Sequence, residues 1–410
     1  MAAVRGRQNE REASACLALD IGTEYVKAVV VSPMPQPVVL GVGRARQQAG
    51  DMEGGAISRI AGVVERCRQA IDDACLMAGV RPTRAIVGIA GEFVQGCTIT
   101  AQFRRRRPNR LLNESEFKKM LAHARAKALE EARRILAERT GLANLDVELV
   151  DTALTEVRID GYRVKNPLEF QGSYVELSLF HTFSPLVHIG ALRTVTERLK
   201  LHLQAAVAEP FAVAMGALSE EAYEAGAVVI DIGGGSTDIA VVRERAVAAT
   251  KSFPVGGRAF TRSLALHFRL DFDEAEALKL DYAAGVLDAD IASEVEQVLA
   301  EDLKIYYDGL KLCLQDLAAQ VPLPTRLFLS GGGSALPGMM HFCVNTSWEE
   351  GIFRSPPQVC RLTADDVKHI ADPKALLAGE RDVTPKSLSL QAVQQGQGQL
   401  HVSYAVDALG

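Results

Sequence analysis

Two segments of the sequence place an aspartate, an isoleucine and a glycine directly after a short apolar run. The first begins at Asp20 and the second at Asp231, and in both the chain continues through small polar residues into Val- and Ala-rich sequence. This pattern predicts a strand, a tight turn and a second strand. A turn made of Gly, Ser and Thr leaves backbone N–H groups uncovered, so several of them can converge on phosphate oxygens.

Either segment alone is also an ordinary hairpin signal, which leaves a purely structural interpretation open. The two lie about half the chain apart, which favours two similar lobes over a tandem array. Carboxylates that face one cleft from two lobes can hold a hydrated Mg²⁺ beside phosphates. We therefore expect Asp20 and Asp231 to hold Mg²⁺ and its waters. The predicted phosphate-binding residues are Gly22, Thr23, Gly233, Gly234, Gly235, Ser236 and Thr237.

A third glycine-rich turn follows the apolar run at residues 326–330. It contains Gly331, Gly332, Gly333 and Ser334 and carries no acid. The pattern predicts a strand that ends at a loop and leads into a helix. A loop of this kind suits the adenine and ribose of a nucleotide, where close approach of the backbone matters more than charge.

Composition excludes several classes of protein. The 410 residues carry a net charge of −6, whereas a nucleic-acid binder that neutralises phosphates needs a large basic surplus. The seven cysteines are odd in number and form no Cys-x-x-Cys pair, so we expect reduced thiols in a cytoplasmic protein. No apolar run has the length of a signal peptide or of a membrane span.

The three turns resemble the phosphate and adenosine motifs of the actin-like ATPase superfamily, and residues 207–216 resemble its first connecting helix. Residues 86–96, 165–172, 253–257 and 275–282 resemble elements of the FtsA family within that superfamily. The resemblance implies an α/β fold of two actin-like lobes, each of the duplicated RNase H-like type. It also implies an inserted α+β subdomain, similar to an SHS2 domain, in the first lobe.

The resemblance implies the following division of the chain. The first lobe takes residues 1–91 and 191–227, with 384–400 returning to it, and the inserted subdomain takes residues 92–190. The second lobe takes residues 228–270 and 322–383, and its small helical subdomain takes residues 271–321.

Glu209 occupies the position that matches a residue near the attacking water in this superfamily. An acid before Pro210 at the first turn of a helix is equally explained by the helix dipole. Lys27 follows the first turn, where it either approaches a phosphate or points to solvent. Hydrolysis of ATP, if any, is expected to be slow, with Glu209 and Asp231 as the catalytic candidates.

The function implied by the resemblance is that of an ATP- and Mg²⁺-binding adaptor in bacterial cell division. Such a protein would polymerise through the inserted subdomain and bind an FtsZ-like tubulin homologue through the small helical subdomain. It would be cytoplasmic, with peripheral contact to the inner face of the membrane through a partner. Two alternatives stay open: a type IV pilus assembly protein similar to PilM, and a small-molecule kinase, which would need a further acid as base.

Three more segments carry expectations. Residues 114–140 predict a long helix with an apolar stripe that begins at Phe117 and Leu121, and residues 186–203 predict a second helix. The run Arg104–Arg107 predicts a solvated loop, or contact with an acidic partner or an anionic membrane. Residues 384–393 are expected to form the second connecting helix, without its usual Ala-x-Gly signature. After Lys386 the sequence has no Lys or Arg, so an interfacial helix is not expected there, and residues 401–406 predict a short strand.

Overall fold

The computed structural model describes residues 15–33, 36–92, 94–140, 146–164, 166–345, 348 and 352–396. The strand predicted at residues 401–406 lies outside these residues. The described strands are β1 (Cys16–Ile21), β2 (Tyr25–Ser32), β3 (Val38–Arg46), β4 (Met52–Glu53), β5 (Ala56–Ile57), β6 (Arg84–Ile89), β7 (Gln95–Arg104), β8 (Val147–Ile159), β9 (Tyr162–Arg163), β10 (Tyr174–Pro185), β11 (His202–Ala208), β12 (Ala227–Ile232), β13 (Thr237–Arg243), β14 (Ala246–Phe253), β15 (Arg326–Ser330) and β16 (Gln358–Arg361).

The helices of the same residues fall between these strands and after them. They are α1 (Ile60–Ala78), α2 (Glu114–Thr140), α3 (Leu186–Arg198), α4 (Glu209–Ala217), α5 (Glu220–Ala225), α6 (Gly257–Phe268), α7 (Phe272–Ala284), α8 (Ala289–Gln320), α9 (Pro337–Asn345) and α10 (Val383–Gly396). None of the helices in the described ranges is both long and apolar enough to cross a membrane.

The two lobes repeat one strand arrangement. In the first sheet the order is β11-β6-β1-β2-β3, and the second sheet begins with the matching order β16-β15-β12-β13-β14. In each, two antiparallel hairpins stand beside two parallel strands. Every residue of β1 and of β12 is buried, as a central strand covered on both faces requires. The duplicated two-lobe fold predicted from the sequence is confirmed.

The second sheet does not stop at β14, because the inserted strands continue it in the order β7-β10-β8-β9. The joint is short: Ala249 pairs with Cys97, and Thr250 pairs with Gly96. The Thr98 hydroxyl adds a hydrogen bond of 2.8 Å to the carbonyl of Val247. In sequence, the insertion therefore begins and ends within the first lobe. In space, its strands extend the sheet of the second lobe. A pattern in one segment does not reveal this pairing between distant strands. The exact boundaries of lobes and subdomains stay a prediction.

Within the insertion, α2 lies on the strands through the predicted apolar stripe. Leu121, Ala124 and Ala128 are buried, and Met120 and Ala132 extend the stripe. The Asn113 side chain accepts a hydrogen bond from the backbone N–H of Glu116, which caps the start of the helix. The side chains at 135 and 136, which the stripe also predicted, lie outside the described residues.

The helix predicted over residues 186–203 is too long. The structure ends α3 at Arg198, gives Lys200 a positive φ of 58°, and starts β11 at His202. Residues 202–208 form a parallel edge strand beside β6. The helical pattern of the residues before them hid the two-residue period of this strand in the sequence. The strand, loop and helix predicted around the third glycine-rich turn are confirmed as β15, the turn after it and α9.

The helices α4 and α10 cross beneath the two sheets. Nearly all of α4 is buried, and Pro210 occupies its first turn, where no backbone donor is needed. A Cβ atom on Gly216 would lie 2.9 Å from the Ser387 hydroxyl oxygen and 3.2 Å from the Ser387 Cα. The crossing thus brings backbone close to backbone. The glycine of the contact, Gly216, stands on α4, and α10 contributes Ser387.

We predict that Gly216→Val lowers the free energy of unfolding by about 1 to 3 kcal/mol, because an added side chain must push the two helices apart. Gly190→Val is the matched control, since Gly190 also lies in a helix but a Cβ there meets nothing within 4 Å. Urea unfolding followed by circular dichroism compares the two variants. Equal stability of both variants would contradict a tight crossing.

Candidate functional site

A cavity of about 310 Å³ lies between the two lobes, and the three predicted turns border it. Each turn projects from the end of a central strand, β1, β12 or β15, so the sheets hold all three in place. Twelve of the predicted residues line the cavity: Asp20, Gly22, Thr23, Glu209, Asp231, Gly233, Gly234, Gly235, Ser236, Gly331, Gly332 and Gly333.

The two phosphate-type turns touch one another. Each is closed by a backbone hydrogen bond, from Gly22 N–H to the Tyr25 carbonyl at 3.1 Å and from Gly233 N–H to the Ser236 carbonyl at 2.9 Å. A Cβ atom on Gly235 would lie only 2.5 Å from the Thr23 hydroxyl oxygen. Glycine at this position therefore lets the two lobes meet edge to edge along the cavity wall.

Two of the predicted site residues, Thr237 and Ser334, lie in the protein interior next to the cavity and do not line it. Thr237 is fully buried, donates a 2.8 Å hydrogen bond to the Val255 carbonyl and pairs with the Tyr306 hydroxyl at 2.9 Å. Ser334 is also fully buried and donates to the carbonyl of Gly331 at 2.7 Å. Both side chains brace their turns, and neither borders the cavity.

The two aspartates of the repeated motif are buried and engaged. Asp20 accepts from the Lys27 ammonium at 3.4 Å, and Lys27 also donates to the Arg381 carbonyl at 2.5 Å. Lys27 therefore points into the cavity, where it can approach a phosphate, and not into solvent. Asp231 accepts from the hydroxyls of Ser330 and Thr384, at 3.0 and 2.7 Å. These contacts fix the orientation of both carboxylates.

A third aspartate, Asp238, borders the cavity and was not predicted. Its carboxylate accepts from the Ser236 hydroxyl at 3.1 Å, from the Ser252 hydroxyl, and from the Gly91 N–H of the first lobe at 3.2 Å. The signal was present in the sequence: Asp238 is an acid that directly precedes four apolar residues of strand β13. Such a residue is costly to bury unless it is hydrogen-bonded, and this one joins the lobes.

Burial dominates the electrostatics of the cavity. It raises the pKa of Asp20, Asp231 and Asp238, and nearby carboxylates add to the shift at Asp20 and Asp231. Burial raises the pKa of Glu209 well above its ordinary value, and the charges of Asp20, Asp238 and Asp231 raise it further. Lys27 opposes the shift at Asp20, Asp231 and Glu209. Lys27 offsets part of the charge of these acids, while Arg44, Arg258, Lys279 and Arg381 also border the cavity. Because the pKa values are raised, a cation bound beside these four acids would stabilise their ionised forms.

The far end of the cavity has a different character. Helix α7 begins at a capping box between Asp271 and Glu274. One turn later, Lys279 donates to the Glu276 carboxylate at 2.6 Å, to the Thr261 hydroxyl at 2.8 Å and to the Gly257 carbonyl at 3.1 Å. These bonds use the three donors of the ammonium and fix the Glu276 carboxylate, which keeps acceptor capacity for hydroxyl groups of a ligand.

The third glycine-rich turn, residues 331–334, also borders the cavity and approaches Asp231 of β12. Gly331 adopts a φ of 81°, and a Cβ there would lie 2.4 Å from Asp231 Oδ1. Only glycine allows both the conformation and the approach. The turn can therefore present its backbone to the cavity, as its composition predicted.

Charged contacts close one side of the cavity across the lobes. Arg258 of the second lobe donates to the Thr23 carbonyl at 3.3 Å and stands 3.7 Å from the Glu24 carboxylate. Arg46 of the first lobe pairs with Glu24 at 2.8 Å and with Asp273 of α7 at 2.9 Å. No motif pointed to this network, because its members are far apart in sequence and each is an ordinary surface residue type.

Two lobes of matching strand order around a glycine-lined, acidic cavity define the actin-like class of proteins. Comparison with solved structures agrees on the fold. The chain is similar to the PilM–PilN type IV pilus biogenesis complex, with a TM-score of 0.64, 20% identity and coverage of 92% of this chain and 98% of that one. It is also similar to MreB5 of Spiroplasma citri bound to ADP, with a TM-score of 0.50, 13% identity and coverage of 94% and 99%.

Sequence comparison identifies the relatives. A family model described as cell division protein FtsA matches residues 228–375. The FtsA of Pseudomonas aeruginosa is 28% identical over 363 residues, which cover 83% of this chain and 81% of that protein. The FtsA of Bacillus subtilis is 25% identical over 347 residues, which cover 79% and 74%. The chain is a relative of the FtsA cell division proteins, and the resemblance found in its motifs is confirmed.

Glu209→Gln should stabilise the unliganded protein at neutral and alkaline pH. Because the folded-state pKa of Glu209 is raised, the wild type loses stability as pH rises through that pKa, and the amide does not. We expect the melting temperature of the variant to exceed that of the wild type by roughly 2 °C at about pH 8, with the difference shrinking toward about pH 5.

Calorimetric melting across this pH range measures the effect. Glu197→Gln, the same change at an exposed position of α3, serves as control and should track the wild type. A Glu209→Gln difference that is constant with pH would contradict the assigned charge crowding.

Proposed function

We propose that this chain binds ATP with Mg²⁺ between its lobes and acts as a polymer-forming adaptor in bacterial cell division. The observation that carries the nucleotide assignment is the convergence of three glycine turns and four carboxylates, three of them buried, on one interlobe cavity. The sequence relationship to FtsA proteins supports the role in division. ADP bound to an MreB of the same fold supports the choice of ligand.

The residues present fit the two groups. A Cβ at Gly331 would collide with Asp231, and one at Gly235 with Thr23, so glycine is required for the turns to pack this closely. The backbone of both residues borders the cavity, and its N–H groups could bind phosphates there. Asp20 and Asp231 would hold Mg²⁺ through its waters, which matches the preference of this ion for carboxylates and phosphate oxygens over a closed protein cage. In the described ranges no three His, Cys, Asp or Glu side chains form such a cage. The bound ion would neutralise charge on the phosphates.

The side chains around the phosphates would then have distinct tasks. Glu209 stands at the start of α4 against Gly88, where a Cβ would lie 2.5 Å from its Oε1, and would orient a water. Asp238 would keep the two lobes together through the Gly91 N–H. Glu276, held in place by Lys279, would accept hydrogen bonds from the ribose hydroxyls. Hydrolysis would be slow, because the chain supplies positioning and no new covalent chemistry.

The two interaction surfaces of the proposal lie outside the cavity. The inserted sheet has one face covered by α2, while the other carries hydrogen-bonded polar pairs such as Thr100 with Ser178. That open face would serve self-association. Along α8, Ile305 and Leu312 are one heptad apart and exposed, and two large aliphatic side chains at this spacing would bind a segment of an FtsZ-like protein. Contact with the membrane would come through a partner.

We expect Asp231→Asn to weaken Mg-ATP binding by about 100-fold, because the amide keeps the shape of the side chain but removes the charge that would hold the ion. Isothermal calorimetry measures the affinity, and Asp308→Ala, at an exposed position of α8, is the control. A variant that binds Mg-ATP as tightly as the wild type would sink the site assignment.

For the partner, the wild type should pellet together with polymerised FtsZ in the presence of Mg-ATP. Ile305→Lys combined with Leu312→Lys should reduce the pelleted fraction about tenfold, since two charges would enter an apolar contact. Leu76→Lys combined with Met77→Lys makes the same change at exposed positions of α1 and should have no effect.

Two results would contradict this part of the proposal. If both double variants pellet like the wild type, α8 is not the contact. If the wild type itself is indifferent to FtsZ, the division role fails, and binding of a peptide as in a PilM-like pilus protein becomes the better hypothesis, since that fold match stands independently.

A further inference from the structure

Three loops meet at the free end of the inserted sheet. They are residues 104–113, 160–163 and 169–174, and we call them the loop end. Backbone hydrogen bonds join them, among others from Arg105 to the Ser173 carbonyl at 2.8 Å and from Gly172 to the Pro108 carbonyl at 3.0 Å. The loop end is therefore a single ordered surface and not a set of independent loops.

One member of the basic run anchors this surface. Arg105 is buried, and its guanidinium donates two hydrogen bonds of 3.0 Å to the Glu116 carboxylate. A third bond of 3.3 Å reaches the Gly172 carbonyl. The expectation that the run Arg104–Arg107 is simply a solvated loop is wrong for Arg105, because its charge is needed to hold the first loop to α2.

The other arginines of the loop end are exposed. Arg104, Arg106, Arg107 and Arg110 have no ion-pair partner among the described residues, whereas Arg163 stands 3.6 Å from the Glu156 carboxylate. The loop end contains two acids. Asp160 accepts from the backbone N–H groups of Ser173 and Tyr174, and Glu169 accepts from the Asn166 amide. On a chain of net charge −6, this is a local surplus of positive charge.

Large apolar and aromatic side chains project from the same surface. Tyr162 is 78% exposed and Leu111 is 56% exposed. Phe170 and Tyr174 are exposed beside them. A side chain as exposed as Tyr162 does not line a groove, which an acidic peptide would need for specific binding. Arginines beside protruding Tyr, Phe and Leu side chains instead match the interface of an anionic bilayer.

We propose that the loop end binds directly to an anionic membrane surface. The four arginines approach the lipid phosphates, and Leu111, Tyr162, Phe170 and Tyr174 enter the headgroup region. The contact is separate from the nucleotide cavity and from any membrane partner, so it holds or fails independently of the function proposed above.

Vesicle sedimentation tests the proposal with the full chain. The wild type should bind vesicles that contain about one third phosphatidylserine and should not bind pure phosphatidylcholine. Arg106→Glu, Arg107→Glu and Arg110→Glu together should weaken binding at least about tenfold, since each reversal replaces attraction by repulsion. Leu111→Ser with Tyr162→Ser, which keeps every arginine, should weaken it several-fold.

The matched control is Arg354→Glu, Lys368→Glu and Lys374→Glu, which changes the net charge equally at exposed positions outside the loop end. It should bind vesicles like the wild type, and all variants should keep the wild-type melting temperature. Equal losses in the two triple variants would overturn the proposal, because net charge alone would then explain binding. So would a wild type that ignores anionic vesicles.

A soluble polyanion distinguishes membrane binding from binding of an acidic protein. Poly-glutamate should compete weakly, and the Leu111→Ser, Tyr162→Ser variant should bind it like the wild type. If poly-glutamate displaces the protein from vesicles completely and the apolar substitutions leave vesicle binding unchanged, the loop end is a site for an acidic protein, and the membrane proposal is wrong.

Discussion

The gathering of four carboxylates between two lobes, three of them buried, is the constraint on which the rest of the structure depends. Asp20, Glu209, Asp231 and Asp238 come from both halves of the chain, and their mutual repulsion works against closing the cavity. What holds the lobes together must therefore be supplied around the acids. The hydroxyls of Ser330 and Thr384 bond to Asp231, the Gly91 N–H to Asp238 and the Lys27 ammonium to Asp20. Burial raises the pKa of all four acids, which supports the cation proposed for this cavity.

Much of this arrangement was readable in the sequence, because short-range pattern determines it. The repeated Asp-Ile-Gly motif predicted two hairpins, and the structure shows them in sheets of matching strand order. Glycine content alone predicted which turns approach the cavity. The prediction failed where side-chain direction decided the outcome. Thr237 and Ser334 share a motif with cavity residues, yet their hydroxyls point into the lobe, and nothing in a linear pattern distinguishes the two directions.

Contacts between residues that are far apart in the sequence were also missed by the sequence analysis. Asp238 looks like one polar residue in a strand until Gly91 is brought to it by the folding of the other lobe. The network of Arg46, Glu24, Arg258 and Asp273 has the same character. The boundary between α3 and β11 was misplaced because helical and strand patterns overlap at residues 199–203. The sequence-based prediction failed in two situations. Either the contacting residues are distant in the chain, or a helical and a strand period overlap at the boundary of an element.

The joint between β7 and β14 has a consequence for biosynthesis. Strand β7 emerges from the ribosome about 150 residues before β14, so its edge is without this neighbour during that interval. At ordinary rates of elongation, the interval lasts about 8 to 30 s. An unpaired strand edge invites pairing with other chains. The polar side chains of β7, such as Thr98, Thr100 and Gln102, make this strand less apolar while it waits for β14.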